Sequence, residues 1–160
     1  MPEIYLAIGH LQSDLHRDQA ALQNLRKVLE LDPRKNYARF GIWLIRARLG
    51  EREEATRELR AQIATGAEEP GHEWESCIGH FLVGDLPETN FLAQAIKTAR
   101  RPTDQDGQLC EARYYMGMKR LFDGDKPGAI ELLEKCVASH QDNREEYTSA
   151  MVELRELRKE

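Results

Sequence analysis

Apolar positions recur along this chain at helical rather than strand intervals. In the first stretch, Tyr5, Ile8, Gly9 and Leu15 form one run, and Ala21, Leu22, Leu25, Val28 and Leu29 form a second, with the polar segment SDLHRD between them. Spacings of three and four residues put such side chains on one helix face. The pattern therefore predicts two helices joined by a tight turn. The second run stops at Leu31-Asp32-Pro33, because proline disfavours helix in the residue before it and has no amide hydrogen for the ladder. Helical spacing continues almost to the end of the chain, and no convincing alternation of apolar and polar residues predicts a strand. The fold class read from the pattern is all-α.

The chain repeats its own phrasing. GEREEATRELRAQI begins at Gly50, GDLPETNFLAQAI at Gly84 and GDKPGAIELLEKCV at Gly124. His16, Gly50 and Gly84 stand 34 residues apart, and the last step, to Gly124, is 40. That longer step reads as the same unit plus a six-residue insertion within RRPTDQDGQL, residues 100 to 109. Five residues after each turn stand Ala21, Ala55, Thr89 and Ala129, and seven before it stand Gly9, Trp43, Cys77 and Gly117. Small side chains at such paired places let two helices approach closely. Trp43 departs from that rule, and Thr89 marks the third hairpin as degenerate. Nine residues after the turn, Leu25, Leu59 and Leu133 supply a large apolar side chain where the third hairpin has Ala93.

A helical hairpin repeated every 34 residues resembles the tetratricopeptide repeat, and the likeness covers about residues 2 to 143. The resemblance implies one domain, residues 1–160, built as a superhelical array of four hairpins at about 2–35, 36–69, 70–103 and 110–143. A C-terminal capping helix at 144–160 follows. There Tyr147, Ala150, Met151, Leu154 and Leu157 share one face, while Glu145, Glu146, Arg155, Arg158, Lys159 and Glu160 make the rest polar; repeat arrays need such a solvated end. No comparable cap precedes the first hairpin, so we expect either a longer parent array or a cover over the first helix. The stretch from CEARYYMGMKR to EYTSAMVELREL also resembles the C-terminal region of NlpI-type bacterial envelope lipoproteins. That likeness covers about a third of the chain, without the lipidated N-terminal cysteine of those proteins.

In tetratricopeptide arrays the first helix of each hairpin lines a concave groove, which the resemblance assigns to the places ten and six before the turn. These are Leu6, Phe40, Trp74 and Tyr114, and His10, Leu44, Ile78 and Met118. Apolar, aromatic surface of this kind marks a binding site, although Trp74 and Ile78 suit a core equally well. From Pro33 to Arg48 the chain also carries Arg34, Lys35, Arg39, Arg46 and Arg48 with no acidic residue. Such a stripe either steers an acidic partner, with Arg48 at the groove, or forms a solvated face paired with Glu51, Glu53, Glu54 and Glu58. The co-chaperones that clamp acidic heat-shock-protein tails place Lys and Asn where Leu6 and His10 stand, so that subclass is excluded.

Composition narrows the partner class. Hydrophobic residues make up 41% of the 160, enough for a core. A net charge of −5, from 23 basic and 28 acidic residues, gives no global basic face for nucleic acid. The longest apolar run, FGIWLI at 40 to 45, falls far short of the roughly 20 residues that span a bilayer, and no signal-peptide pattern opens the chain. The expected location is cytoplasmic as the chain stands, or the periplasm and envelope if a signal sequence precedes it. Cys77, Cys110 and Cys136 are odd in number and not closely spaced, which predicts reduced, mostly buried thiols. No phosphate loop, HExxH, CxxC or GxSxG occurs. HEWESCIGH brings His72, Cys77 and His80 near one another, short of the usual zinc ligand count. No catalytic residue, metal or cofactor is expected. The function expected is a non-catalytic scaffold that holds an acidic or amphipathic segment of another protein. The alternative is a regulatory module of a larger enzyme or of an envelope adaptor complex.

Overall fold

Left-handed backbone occurs at His16 (φ 54°), Gly50 (84°), Gly84 (90°) and Gly124 (84°), the turn residues of the sequence repeat. Three of the four are glycine, which adopts this conformation without a Cβ clash. The protein is represented by a computed structural model that describes residues 1–66 and 70–159. Among the described residues there are nine helices and no strand. They are α1 (Pro2–Asp14), α2 (Asp18–Leu31), α3 (Asn36–Arg48), α4 (Arg52–Thr65), α5 (Glu73–Leu82), α6 (Glu88–Lys97), α7 (Pro102–Phe122), α8 (Lys126–Ala138) and α9 (Glu145–Lys159). The expected end of the second hairpin at 69 and the last capping residue, Glu160, lie outside the described residues. The chain parts into two units, Met1–Ala67 and Glu68–Glu160.

In the first unit each helix packs on the next, and α1 also touches α3. The core joins Ala21, Leu22, Leu25 and Val28 of α2 to Ala38, Ile42 and Ile45 of α3. Its tightest point is Leu25. A Cβ at Gly9 would lie 2.8 Å from Leu25 Cδ2, and one at Gly41 would lie 2.9 Å from Leu25 Cδ1. Trp43, the large residue at the second hairpin's small place, is buried, and its indole N–H donates to Thr56 Oγ1 of α4 at 3.1 Å.

In the second unit α5 and α6 pack against each other and on α7, α7 pairs with α8, and α9 lies on both α7 and α8. A Cβ at Gly117 would come within 3.0 Å of Leu133 Cγ and 3.4 Å of the Ala129 carbonyl oxygen, so the small-residue crossing expected here is present. The third hairpin follows a different register. Helices α2, α4 and α8 start two residues after their turn residue, whereas α6 starts four after Gly84. Pro87, extended at the N-cap (φ −67°, ψ 157°), delays the helix. The buried places consequently fall on Phe91 and Ala95, and Thr89 and Ala93 are exposed. Large and small have exchanged positions. The Phe91 ring stacks between Trp74 (5.0 Å) and Phe81 (4.2 Å).

Two expectations need correction. The insertion expected within residues 100 to 109 forms no separate segment; residues 104 to 109 belong to the opening turns of the 21-residue helix α7. Pro102 suits the first helical turn, where its missing N–H costs nothing, and Asp104 pairs with Arg101 at 3.0 Å. The buried face of the cap is also rotated. It runs through Glu146, Ser149, Ala150, Glu153, Leu154 and Leu157, while Met151 is exposed and Tyr147 only half-buried.

Enlarging Gly117 forces Leu133 or the α8 backbone to move. Gly117→Leu is expected to destabilise the protein by about 1–3 kcal/mol, whereas Thr148→Leu at an exposed site of α9 changes stability little; urea melts of the two variants compare them directly.

Candidate functional site

The nine residues expected to line a groove are mostly packed inside their own units. Leu6 leans on the first unit's core. His10 is wedged between α1 and α3, its Cε1 3.5 Å from where a Cβ at Gly41 would stand. Burial pushes its imidazole down to about 4, so it is neutral at neutral pH. Phe40 is 2% exposed and meets Tyr37 edge-on at 5.7 Å; Tyr114 is 8% exposed and meets Tyr115 edge-on at 5.3 Å. Trp74, Ile78 and Met118 are likewise buried, and Leu44 is half-buried. The expected exposure of Phe40 and Tyr114 is therefore corrected. Rings of this size leave water wherever a packing surface is within reach.

The basic stripe is also largely committed. Arg34 bonds Asp32 at 3.2 Å, and Lys35 bonds Glu3 at 2.9 Å. Arg46 pairs with Glu51 at 2.9 Å and also with Glu58. Arg48 pairs with Asp18 and donates to the Ser13 carbonyl and hydroxyl oxygens, each at 3.2 Å, which ties α3 to the first turn. Arg39 differs. Its guanidinium donates to neutral oxygens, Asn36 Oδ1 at 3.0 Å and the Pro33 carbonyl at 2.6 Å. Burial holds it below the usual arginine range. It lines a shallow cleft between α3 and α4 together with Trp43, Arg46, Glu58 and Gln62.

The second unit contains a polar cluster that the sequence reading missed. Glu111, in the middle of α7, is almost fully buried; it accepts hydrogen bonds from the Trp74 indole N–H and from Arg144 Nη1, the latter at 3.3 Å. The Arg144 guanidinium lies flat on α7 where Gly107 has no side chain, with Cζ 2.7 Å from the place a Cβ would take. Glu146 is buried nearby and accepts from the Tyr115 hydroxyl at 3.0 Å. Burial first, and the Glu111 charge second, push its carboxyl up to about 8. At neutral pH Glu146 is mostly protonated, while Glu111 has the cation. A signal existed: Glu146 lies at helical spacing from Ala150, Leu154 and Leu157.

Beside the acids, the buried thiols of Cys110 and Cys136 meet across α7 and α8 with sulfurs 2.8 Å apart, and both are free cysteines. The mutual hydrogen bond lowers Cys110, while that contact and burial together hold Cys136 far above its ordinary range. Cys77 is half-buried. His72 and His80 each face a neighbouring carboxylate, Glu75 at 3.0 Å and Asp85 at 3.5 Å. Among the described residues, no group of three or more His, Cys, Asp or Glu side chains is arranged to hold a metal ion, and no helix is long and apolar enough to cross a membrane.

Two measurements check these placements. Phe40→Ala and Tyr114→Ala should each cost about 3–5 kcal/mol in denaturant melts, as for buried rings. Glu146 binds its proton more tightly folded than unfolded, so its contribution is complete below about pH 4.5 and is lost as pH rises toward about 8. Glu146→Gln removes this slope, which approaches about 1.4 kcal/mol per pH unit. The variant should gain on the wild type as the pH of the melt is raised from mildly acidic to mildly basic. No protein-family model matches this chain, so a functional reading has to stand on its residues and their geometry.

Proposed function

We propose that the protein is a non-catalytic interaction scaffold of the tetratricopeptide-repeat kind, which holds an acidic segment of a partner protein. The reading rests on one observation above others. Left-handed turns at His16, Gly50, Gly84 and Gly124 repeat a common hairpin, and in two of those hairpins a glycine, Gly9 or Gly117, sits beneath a leucine nine residues past the turn. Repeated hairpins build extended surface rather than a single enclosed reaction site. The NlpI-like phrase EYTSAMVEL falls on α9 and extends the proposal to an adaptor in an envelope complex.

Within the first unit, the α3–α4 cleft is the surface best suited to an acidic segment. Arg39 is the cation of the stripe whose hydrogen bonds, among the described residues, go to neutral oxygens, so a carboxylate gains a charge-assisted bond there without displacing an ion pair. Glu58, on the facing α4 wall, is already paired with Arg46. Gln62, half-buried on the α4 side, offers an amide contact beside it.

The test is capture of partners on the immobilised chain, followed by titration calorimetry with the purified partner. Arg39→Gln is expected to weaken binding and flatten its salt dependence, with the melting temperature nearly kept. Salt-independent binding that is indifferent to Arg39→Gln would remove the acidic-segment reading, and the lack of any saturable partner would remove the scaffold.

A further inference from the structure

Two cysteines of the second unit share the register of its closest helix crossing. Gly117 of α7 sits against Ala129 of α8, where an added Cβ would lie 3.4 Å from the Ala129 carbonyl oxygen. Seven residues back along α7 stands Cys110, and seven further along α8 stands Cys136. In antiparallel helices, equal and opposite steps of about two turns return to the same contact face. The crossing therefore continues at the cysteines. Ala129, Leu133 and Cys136 form one fully buried face of α8, Cys110 is fully buried opposite, and the two sulfurs stand 2.8 Å apart. A disulfide is about 2.05 Å long, so bond closure needs an approach of only about 0.75 Å. Rotation of the two side chains within their rotamer wells supplies it, and the helices stay in place.

We infer that Cys110 and Cys136 are a dithiol site that a disulfide oxidant of the glutathione class closes to a cross-link between α7 and α8. The exchange balances in two steps. One cysteine, as thiolate, attacks the oxidant's disulfide and expels a glutathione thiolate, which takes up the released proton. The other cysteine then attacks the protein sulfur of that mixed disulfide, forming the bond between Cys110 and Cys136 and expelling the second glutathione. Two protein thiols are oxidised, and one glutathione disulfide is reduced to two thiols. Both sulfurs are enclosed once the hairpin has packed, so the exchange belongs to folding. The bond joins positions 26 apart in the chain and encloses the Gly117 crossing and the Gly124 turn, so it restrains the unfolded chain and leaves the packed hairpin unchanged. Burial then protects it, because a reductant has no line of approach to either sulfur. Such a pair serves as a structural cross-link in an oxidising compartment rather than as a fast sensor, whose reactive thiol is exposed. Cys77, half-buried on α5, is left as the remaining thiol.

Refolding of the denatured full chain in an oxidising glutathione buffer tests the site. The expected product has one titratable thiol in denaturant where the reduced chain has three, and peptide mapping joins Cys110 to Cys136. Its helical circular dichroism matches that of the reduced protein, and its thermal midpoint is higher by about 5 °C or more. Cys77→Ser should keep both the bond and the shift, whereas Cys110→Ala and Cys136→Ala should each abolish them. The comparison of oxidised with reduced wild type stands even where an alanine variant folds poorly. Three titratable thiols after refolding, a bond to Cys77, loss of helix in the cross-linked product, or a midpoint that is not raised would each overturn the inference.

Discussion

Leu25 fixes the geometry of the first unit because it fills two notches at once. Its methyl groups lie where Gly9 of α1 and Gly41 of α3 have no side chains, so one residue of α2 sets the approach of the helix before it and the helix after it. With ridge-into-groove packing at such a distance, a carbon added at either glycine would force Leu25 to move. Leu133 repeats half of this arrangement against Gly117 in the second unit. Much else follows from it: His10 is trapped between α1 and α3, and Arg48 comes within reach of Asp18 and Ser13.

The second unit uses a different kind of contact. Around α7, two carboxyl groups are removed from water, one supplied with an arginine and an indole N–H, the other holding its own proton and a tyrosine hydroxyl. Buried polar groups are tolerated only when satisfied, and here the partners come from α5, α7 and the segment just before α9. The Trp74 to Glu111 bond links α5 to α7, and the Arg144 to Glu111 bond anchors the approach to α9. Stability in this unit is consequently tied to protonation in a way that the leucine contacts of the first unit are not.

Helix content, turn places and the glycine crossings at Gly9 and Gly117 were legible in the sequence, because each depends on residues close together in the chain or on a repeated pattern. The third hairpin was misread by two residues, since a fixed period hides a helix start delayed by Pro87. The capping face was misread for another reason. Two glutamates and a serine point inward from α9, and a charged residue counts as exterior in any reading of apolar periodicity. Of the apolar run Tyr5, Ile8, Gly9 and Leu15, the structure buries Gly9 and leaves the other three exposed, because spacing alone does not show which side of the helix α2 covers.

What the sequence by itself determined is the local order: helices, left-handed turns and the places where small residues permit close contact, all set by backbone sterics and side-chain size over short separations. Only the tertiary structure decided which apolar faces are used. Phe40, Trp74 and Tyr114 have the spacing of a groove and the burial of a core, and the difference lies in what packs on them, which local pattern does not record. It also decided that Glu146 keeps its proton and that Cys110 meets Cys136. Those outcomes depend on low-dielectric surroundings and on contacts between residues far apart in the chain, and neither exists before the helices have packed.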